Sequence, residues 1–267
     1  MRSGPEYLYR FTTVERAEEI LTQGRIFFPS PADFNDPFDC KFRPIFRASK
    51  RKRERFLREL ARERDSAMPK HQIKKMARLA STRAFFEEGA RRLMSRIGRS
   101  VGMLSVTERD DSILMWSHYA NKHQGVCLQF RGLESLRTPP LSVIYSDDYP
   151  VVDLLEYEPF LGRQDETAQA KQKEMVERMY LTKAKDWDYE CEWRIIDWSI
   201  NWAARSNSRG FHPLAPQLLV GVILGCRITD NDRKKIKGCI GRSDARPKLY
   251  QAAQNPVSFT LDILEAK

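Results

Sequence analysis

Little in this 267-residue chain serves the commonest catalytic machineries. It has four histidines and five cysteines, and none is spaced as a zinc site requires. An odd cysteine count speaks against a disulfide framework and leaves a reducing cytoplasm as the expected compartment. The longest apolar run, "LLVGVILG" from Leu218 to Gly225, is too short to span a bilayer, so no membrane partner is expected. The opening "MRSGPEYLYRF" lacks the apolar stretch and cleavage site of a signal peptide. A Gly-rich phosphate loop, a Gly-x-Ser-x-Gly elbow and a His-Glu-x-x-His pair are all missing. Their absence removes the usual nucleotide-hydrolase, esterase and zinc-protease readings. No metal is predicted.

What is present is an uneven distribution of positive charge. The formal net charge is +10, yet residues 41–99 alone hold 20 Lys and Arg against 6 Asp and Glu, leaving 26 against 30 elsewhere. A block of that sign points to a polyanion, nucleic acid first, because neutralising phosphates releases counterions. Arg51, Lys52, Arg53, Arg55, Arg58 and Arg62 are the candidate phosphate contacts. A solvated helical face accounts for the same composition, and a protein partner such as an antitoxin remains a further use of it. The oligomeric state is unknown from the sequence.

Hydrophobic content of 41% is enough for a sizeable core. "EYLYRF" reads as a strand, and Thr12 or Thr13 caps the helix "VERAEEILTQG", with Val14, Ala17, Ile20 and Leu21 as its apolar stripe and Gly24 as its stop. "RIFFPS" is a strand, and "PADFNDPFD" a rigid turn. Residues 49–99 read as a basic helical insertion divided at Pro69, with stripes at Phe56, Leu57, Leu60 and Ala61, at Ile73, Met76, Ala77 and Leu79, and later at Phe85, Phe86, Leu93, Met94 and Ile97. "VGMLSVTE", "GVCLQF", "SVIYS", "KLYQAA" and "VSFTLDIL" read as strands. "DSILMWSHYANKH", 167–181 and 230–239 read as helices, and the unbroken apolar "LLVGVILG" as a central strand covered on both faces. Irregular mixing of the two element types predicts an α+β fold, taken as one domain over 1–267.

Two segments concentrate groups able to do chemistry. In "DWDYECEWRII", Asp186 to Ile196, strand alternation would place Glu190, Glu192, Arg194 and Ile196 on one face and Tyr189, Cys191, Trp193 and Ile195 on the other. The apolar set would anchor the strand, and the charged set is either an exposed ladder or the wall of a site. In "MWSHYANKH", Trp116 and Tyr119 share a helical face as core anchors, while His118 is a candidate general base. Arg25, Lys183, Lys185 and Trp116 are further candidates that one sequence cannot rank. Asn35, Asp36 and Asp39 are turn formers, or with Glu190 and Glu192 the oxygen ligands of a Mg²⁺ or Mn²⁺ ion.

Three stretches, "LYRFTTVERAEEILTQGRIFFPSPADFNDPFD", "LMWSHYANKHQGVCLQF" and "KAKDWDYECEWRII", resemble an uncharacterised bacterial family, the domain of unknown function DUF2971, from about Tyr7 to Gly225. "YLYRF" followed by a helix, with Glu-x-Glu in "YECEWRII", is also similar to the ADP-ribosyltransferase superfamily; "LSVTE", with Ser105 and Thr107, stands loosely for its middle-strand motif. That resemblance implies a bent or split mixed sheet around a cleft, NAD as co-substrate, and the setting of a bacterial toxin or antiphage effector. It implies Glu192 as the carboxylate beside the ribose, where positive charge develops as the glycosidic bond breaks. Glu190 would position or deprotonate the acceptor, Arg10 would grip the phosphates, and Tyr9, Trp187 and Ser105 would complete the cofactor site. Beside this transferase or NAD-glycohydrolase reading stand a non-catalytic nucleic-acid-binding protein and a metal-dependent nuclease using Asp36, Asp39, Glu190 and Glu192.

Overall fold

The first elements form where capping and alternation place them. Thr13 accepts a hydrogen bond from the Arg16 amide, and Gly24 stops the helix in the left-handed region at φ 58°, returning its N–H to the Ile20 carbonyl. The four residues of the expected apolar stripe are the four buried ones. In this computed structural model the described residues are 4–45, 47–64, 67–82, 84–85, 88, 101–136, 138–153, 156, 165–197 and 210–266.

The chain runs β1 (Tyr7–Thr12), α1 (Val14–Gln23), β2 (Arg25–Phe27), β3 (Arg43–Ile45), α2 (Lys50–Arg64), α3 (Lys70–Ala80) and β4 (Gly102–Thr107). It continues through α4 (Ile113–Tyr119), β5 (Val126–Arg131), β6 (Leu141–Ser142), β7 (Ile144–Ser146), β8 (Val151–Asp153), α5 (Glu166–Tyr180), β9 (Thr182–Ala184) and β10 (Glu192–Asp197). It ends with β11 (Phe211–Pro213), β12 (Leu219–Leu224), α6 (Asp230–Arg242), β13 (Lys248–Gln254) and β14 (Leu261–Glu265). The fold is α+β, as the sequence predicts. Two compact units divide it: Met1–Asn35, Arg99–Tyr145 and Lys183–Lys267 in the first, Asp36–Gly98 and Ser146–Thr182 in the second.

The first unit is built on an eight-stranded mixed sheet of order β14-β13-β12-β5-β1-β4-β10-β6, whose one parallel pair is β12 with β13. Leu8, Leu104, Leu128, Val222 and Ile195 meet α1 and the Ile236–Cys239 side of α6 on one face. Tyr9, Phe11, Cys127 and Ile223 meet Met115 and Trp116 of α4 on the other, where the rings of Phe11 and Trp116 make an edge contact at 5.0 Å. Central β12 is therefore covered on both sides, as its unbroken apolar run predicts.

Three boundaries differ from expectation. "SVIYS" is split into β6 and β7 by Val143, whose amide bonds the Glu192 carbonyl at 2.9 Å. "VSFT" is a turn, with Val257 and Phe259 more than nine-tenths exposed, and β14 begins only at Leu261. Helix α4 stops at Tyr119 because Asn121, Lys122 and His123 all adopt left-handed backbone, at φ 46°, 54° and 69°. They reverse the chain into β5.

In the second unit Pro69 separates α2 from α3 as expected. Arg53 braces this pair of helices by donating to the carbonyls of Ser81 (2.9 Å) and Ala48 (2.6 Å). Of the predicted α3 stripe only Ile73 and Ala77 are buried, with Met76 and Leu79 exposed. Phe86, Leu93, Met94 and Ile97 lie outside the described residues. The Asp36 carboxylate accepts from the Phe38 amide at 2.8 Å and that of Asp39 from the Cys40 amide at 2.7 Å, so this segment is a turn closed on its own backbone.

Gly225 lies against the carbonyl of left-handed His123, and a β-carbon there would collide with that oxygen. Backbone cannot yield as a flexible side chain does. Gly225→Ala is expected to lower stability by about 1–3 kcal/mol, read as a reduced urea midpoint.

Candidate active site

The segment expected as one strand is two structures joined by a kink. Lys185–Glu190 form a 3₁₀ helix, Cys191 turns the chain in the left-handed region at φ 44°, and the strand begins at Glu192. Glu190 and Glu192 therefore do not meet by alternation. The kink carries the Glu190 carboxylate back toward that of Glu192, and both accept hydrogen bonds from the Lys183 ammonium, Glu192 Oε2 at 2.9 Å. Cys191, expected as a core anchor, is half-buried at the kink, and Tyr189 and Trp193 pack only partly against the core clusters.

Arg194 closes the network. Its Nε and Nη2 donate to Glu192 Oε1 and Oε2 at 2.8 and 2.9 Å, a bidentate pair, and Ser105 adds its hydroxyl to the same carboxylate. Tyr119 donates to Glu190 Oε1 at 2.7 Å and accepts from Asn35. Thr107 donates to the Glu190 carbonyl, and the Glu192 amide to the Tyr145 hydroxyl at 2.8 Å, fixing the backbone on both sides of Cys191. Lys183, Glu190, Glu192 and Arg194 are all at most 8% exposed. Two cations and two anions sum to zero, which is what lets four ionised groups leave water together.

The two carboxylates are pushed apart in proton affinity. Burial favours the neutral form of Glu192, but Arg194 and then Lys183 outweigh it and hold its pKa at about 2. Burial raises that of Glu190; Lys183 opposes the rise, and the charge of Glu192 adds to it. Burial, with the neighbouring Glu190 charge, also raises Tyr119, which stays a hydrogen-bond donor at neutral pH.

Several candidates thus converge: Glu190, Glu192, Ser105 and Trp187, whose ring lies 5.2 Å from the Lys183 ammonium. His118 is exposed on α4, its ring 6.2 Å from that of Tyr119, and is not the core histidine that its aromatic neighbours suggest. Tyr9 is buried in the apolar cluster, its hydroxyl engaged by Gln129 at 3.3 Å and by Asp110. Arg10 is the main correction. Its neighbours Tyr9 and Phe11 face α4, and its partner across the sheet is Leu128, so alternation puts it on the α1 face, opposite Glu192. It bonds the Ser105 carbonyl at 2.8 Å through the edge of the strand, not a group at the carboxylates. In the second unit Arg51, Lys52, Arg55 and Arg62 are exposed, whereas Arg53 braces the helices and Arg58 pairs with Glu54 at 3.2 Å.

Of the other members, the sequence offers Tyr119 only as a core anchor and Lys183 only as an unranked candidate, and it does not single out Tyr145. The available signal was the adjacency of Lys183 to the apolar Tyr180–Leu181: a lysine entering a buried strand needs carboxylates, and four follow within nine residues, the last two being Glu190 and Glu192. Among the described residues no group of three or more His, Cys, Asp or Glu is arranged to hold a metal ion, and none of their helices is long and apolar enough to cross a membrane.

Two outcomes follow from the charge balance. Arg194→Met strands Glu192 in the interior, and is expected to cost about 3–5 kcal/mol in denaturant unfolding. Because the folded-state pKa of Glu192 is depressed to about 2, its stabilising contribution is complete above its ordinary value of 4.5 and disappears as pH falls toward 2. The stability gap between wild type and Glu192→Gln should therefore narrow over that window in urea titrations. Glu190, raised in the fold, contributes with the opposite sign: its share is present at low pH and lost as pH rises through its folded value.

The family described as "Protein of unknown function (DUF2971)" matches residues 115–195. That is a shorter span than the expected Tyr7 to Gly225, and it leaves β1 and α1 outside. No curated protein and no solved structure matches the chain. The matched stretch opens on α4 and closes on β10, so the similarity to DUF2971 covers Tyr119, Lys183, Glu190, Glu192 and Arg194 together.

Proposed function

We propose that the chain is an enzyme that cleaves a glycosidic bond, with the nicotinamide–ribose bond of NAD as its substrate, in the manner of an ADP-ribosyltransferase or NAD glycohydrolase. The observation that carries this reading is the carboxylate pair on one ammonium, one member held ionised and the other raised above its ordinary value. Environments that separate two proton affinities in this way divide the roles of acid or base and charge stabiliser.

The roles differ from the simplest assignment. Glu192 accepts twice from Arg194 and once each from Lys183 and Ser105, which fills its lone pairs, so it acts as a fixed negative charge and not as a ligand of the ribose; Glu190 accepts one bond on each oxygen and keeps room for another. Glu190 meets the reacting groups, taking the proton of the attacking water or acceptor hydroxyl as the bond to nicotinamide breaks. Tyr119 and Lys183 orient it. Trp187 and Tyr189, half-buried and with ring centroids 6.0 Å apart, offer aromatic surfaces for a nicotinamide or a base.

A second reading rests on α2, where Arg51, Arg55 and Arg62 are exposed at helical spacing that shares one face. This supports contact with a nucleic acid backbone, as acceptor or as sole ligand.

The test is nicotinamide release by purified protein, with and without DNA or RNA. Wild type is expected to release it, at a rate that climbs with pH as Glu190 ionises above 4.5. Glu190→Gln should lower kcat by about 10²–10⁴-fold, measured per folded molecule as counted by circular dichroism because the variant also unbalances the buried charges. No release under any condition sinks the enzyme reading; nucleic acid binding that weakens steeply with salt would then stand in its place.

A further inference from the structure

On the α1 face a small cavity of about 80 Å³ is lined by Arg10, Arg16 and Arg25 together with Thr12, Glu19 and Phe211. Three guanidinium groups share it with one carboxylate. Glu19 is bonded to Arg16 at 2.8 Å and reaches Arg25 only at 3.8 Å. Arg10 forms the floor, with one nitrogen committed to the Ser105 carbonyl. The Cζ of Arg25 lies over the Phe211 ring, 4.2 Å from its centroid, a cation–π contact that holds the guanidinium at the cavity. Its Nε is buried without a hydrogen-bond partner among the described residues. An unsatisfied buried N–H on a cation is costly unless an acceptor supplies the bond. Burial is the chief reason that the pKa of Arg10 falls to about 10; the charge of Glu192 opposes the fall, and the nearby charge of Arg16 contributes to it.

From this convergence we infer that the cavity binds the phosphate or diphosphate group of a small molecule, with Arg16 and Arg25 as the clamp and Arg10 as the floor. Excess positive charge, forked donors and an orphaned N–H all ask for a compact, multiply charged oxyanion. The volume holds a few waters' worth of atoms, enough for a phosphate group. The site stands on the face of the sheet opposite Glu192, so a ligand bound there does not touch the groups of the reaction proposed on the other face.

The test is calorimetric titration of the full chain with inorganic pyrophosphate and with ADP, chloride being adjusted to hold ionic strength constant. Saturable one-to-one binding is expected, at least tenfold weaker in Arg16→Gln and Arg25→Gln and unchanged in Lys248→Gln, which removes an exposed charge elsewhere. Arg16 is exposed on its helix, so its variant decides the matter if Arg25→Gln fails to fold by circular dichroism. Equal weakening in all three variants would reduce the effect to net charge and overturn the inference. So would absence of saturable binding, or binding of a single-stranded oligonucleotide alone. Glu190→Gln should bind pyrophosphate as wild type does. If wild type binds pyrophosphate but releases no nicotinamide, the anion site stands and the enzyme reading falls.

Discussion

One ammonium shared by two buried carboxylates governs the first unit. Lys183 cannot leave water alone, and neither can Glu190 or Glu192; each is tolerable only with the others and with Arg194 in place. That requirement explains local features which propensity does not. The left-handed Cys191 and the 3₁₀ turn before it bring a carboxylate to the lysine. The Thr107 and Tyr145 hydroxyls then fix the backbone on which this depends. Through these bonds β4, α4, β9 and β10 are tied to one point, although they come from distant parts of the chain.

The sheet separates two electrostatic environments. On the α4 side the charges cancel, and the field is local, shaped by which carboxylate owns which donor. On the α1 side guanidinium groups outnumber their carboxylate and the balance is left open. Arg10 stands between these regimes. It feels the charge of Glu192 through the sheet, yet its fork points to the other surface. A residue can thus be coupled to a site by Coulomb's law without being able to touch what binds there.

How much was legible depended on whether local rules or distant partners decided the outcome. The cap, stripe and stop of α1 need no tertiary help, and they were read correctly. Central β12 was legible because an unbroken apolar run has few other places to go. The end of α4 was less so, since none of its three consecutive left-handed residues is glycine and only Asn121 and His123 belong to types that favour that region. "DWDYECEWRII" alternates well enough to pass for a strand; what breaks it is a lysine outside the quoted segment and the Thr107 hydroxyl 83 positions earlier. The pairing of Glu190 with Glu192 was foreseen for the wrong geometric reason. The resemblance implies Arg10 in the cofactor site together with Tyr9, whereas alternation sends these neighbours to opposite faces of the strand.

The strand order has a consequence for how the chain assembles. β1 lies between β5 and β4, so both of its neighbours are made roughly a hundred residues after it. During synthesis its aromatic segment, Tyr7, Tyr9 and Phe11, must wait unpaired until residues 102–131 have emerged. The ammonium network waits longer, for Arg194. Sheet closure is dominated by long loops and belongs to the slow, millisecond-to-second class of folding. Throughout that interval an apolar strand edge is open to other nascent chains, which makes early shielding by a chaperone part of what this topology demands.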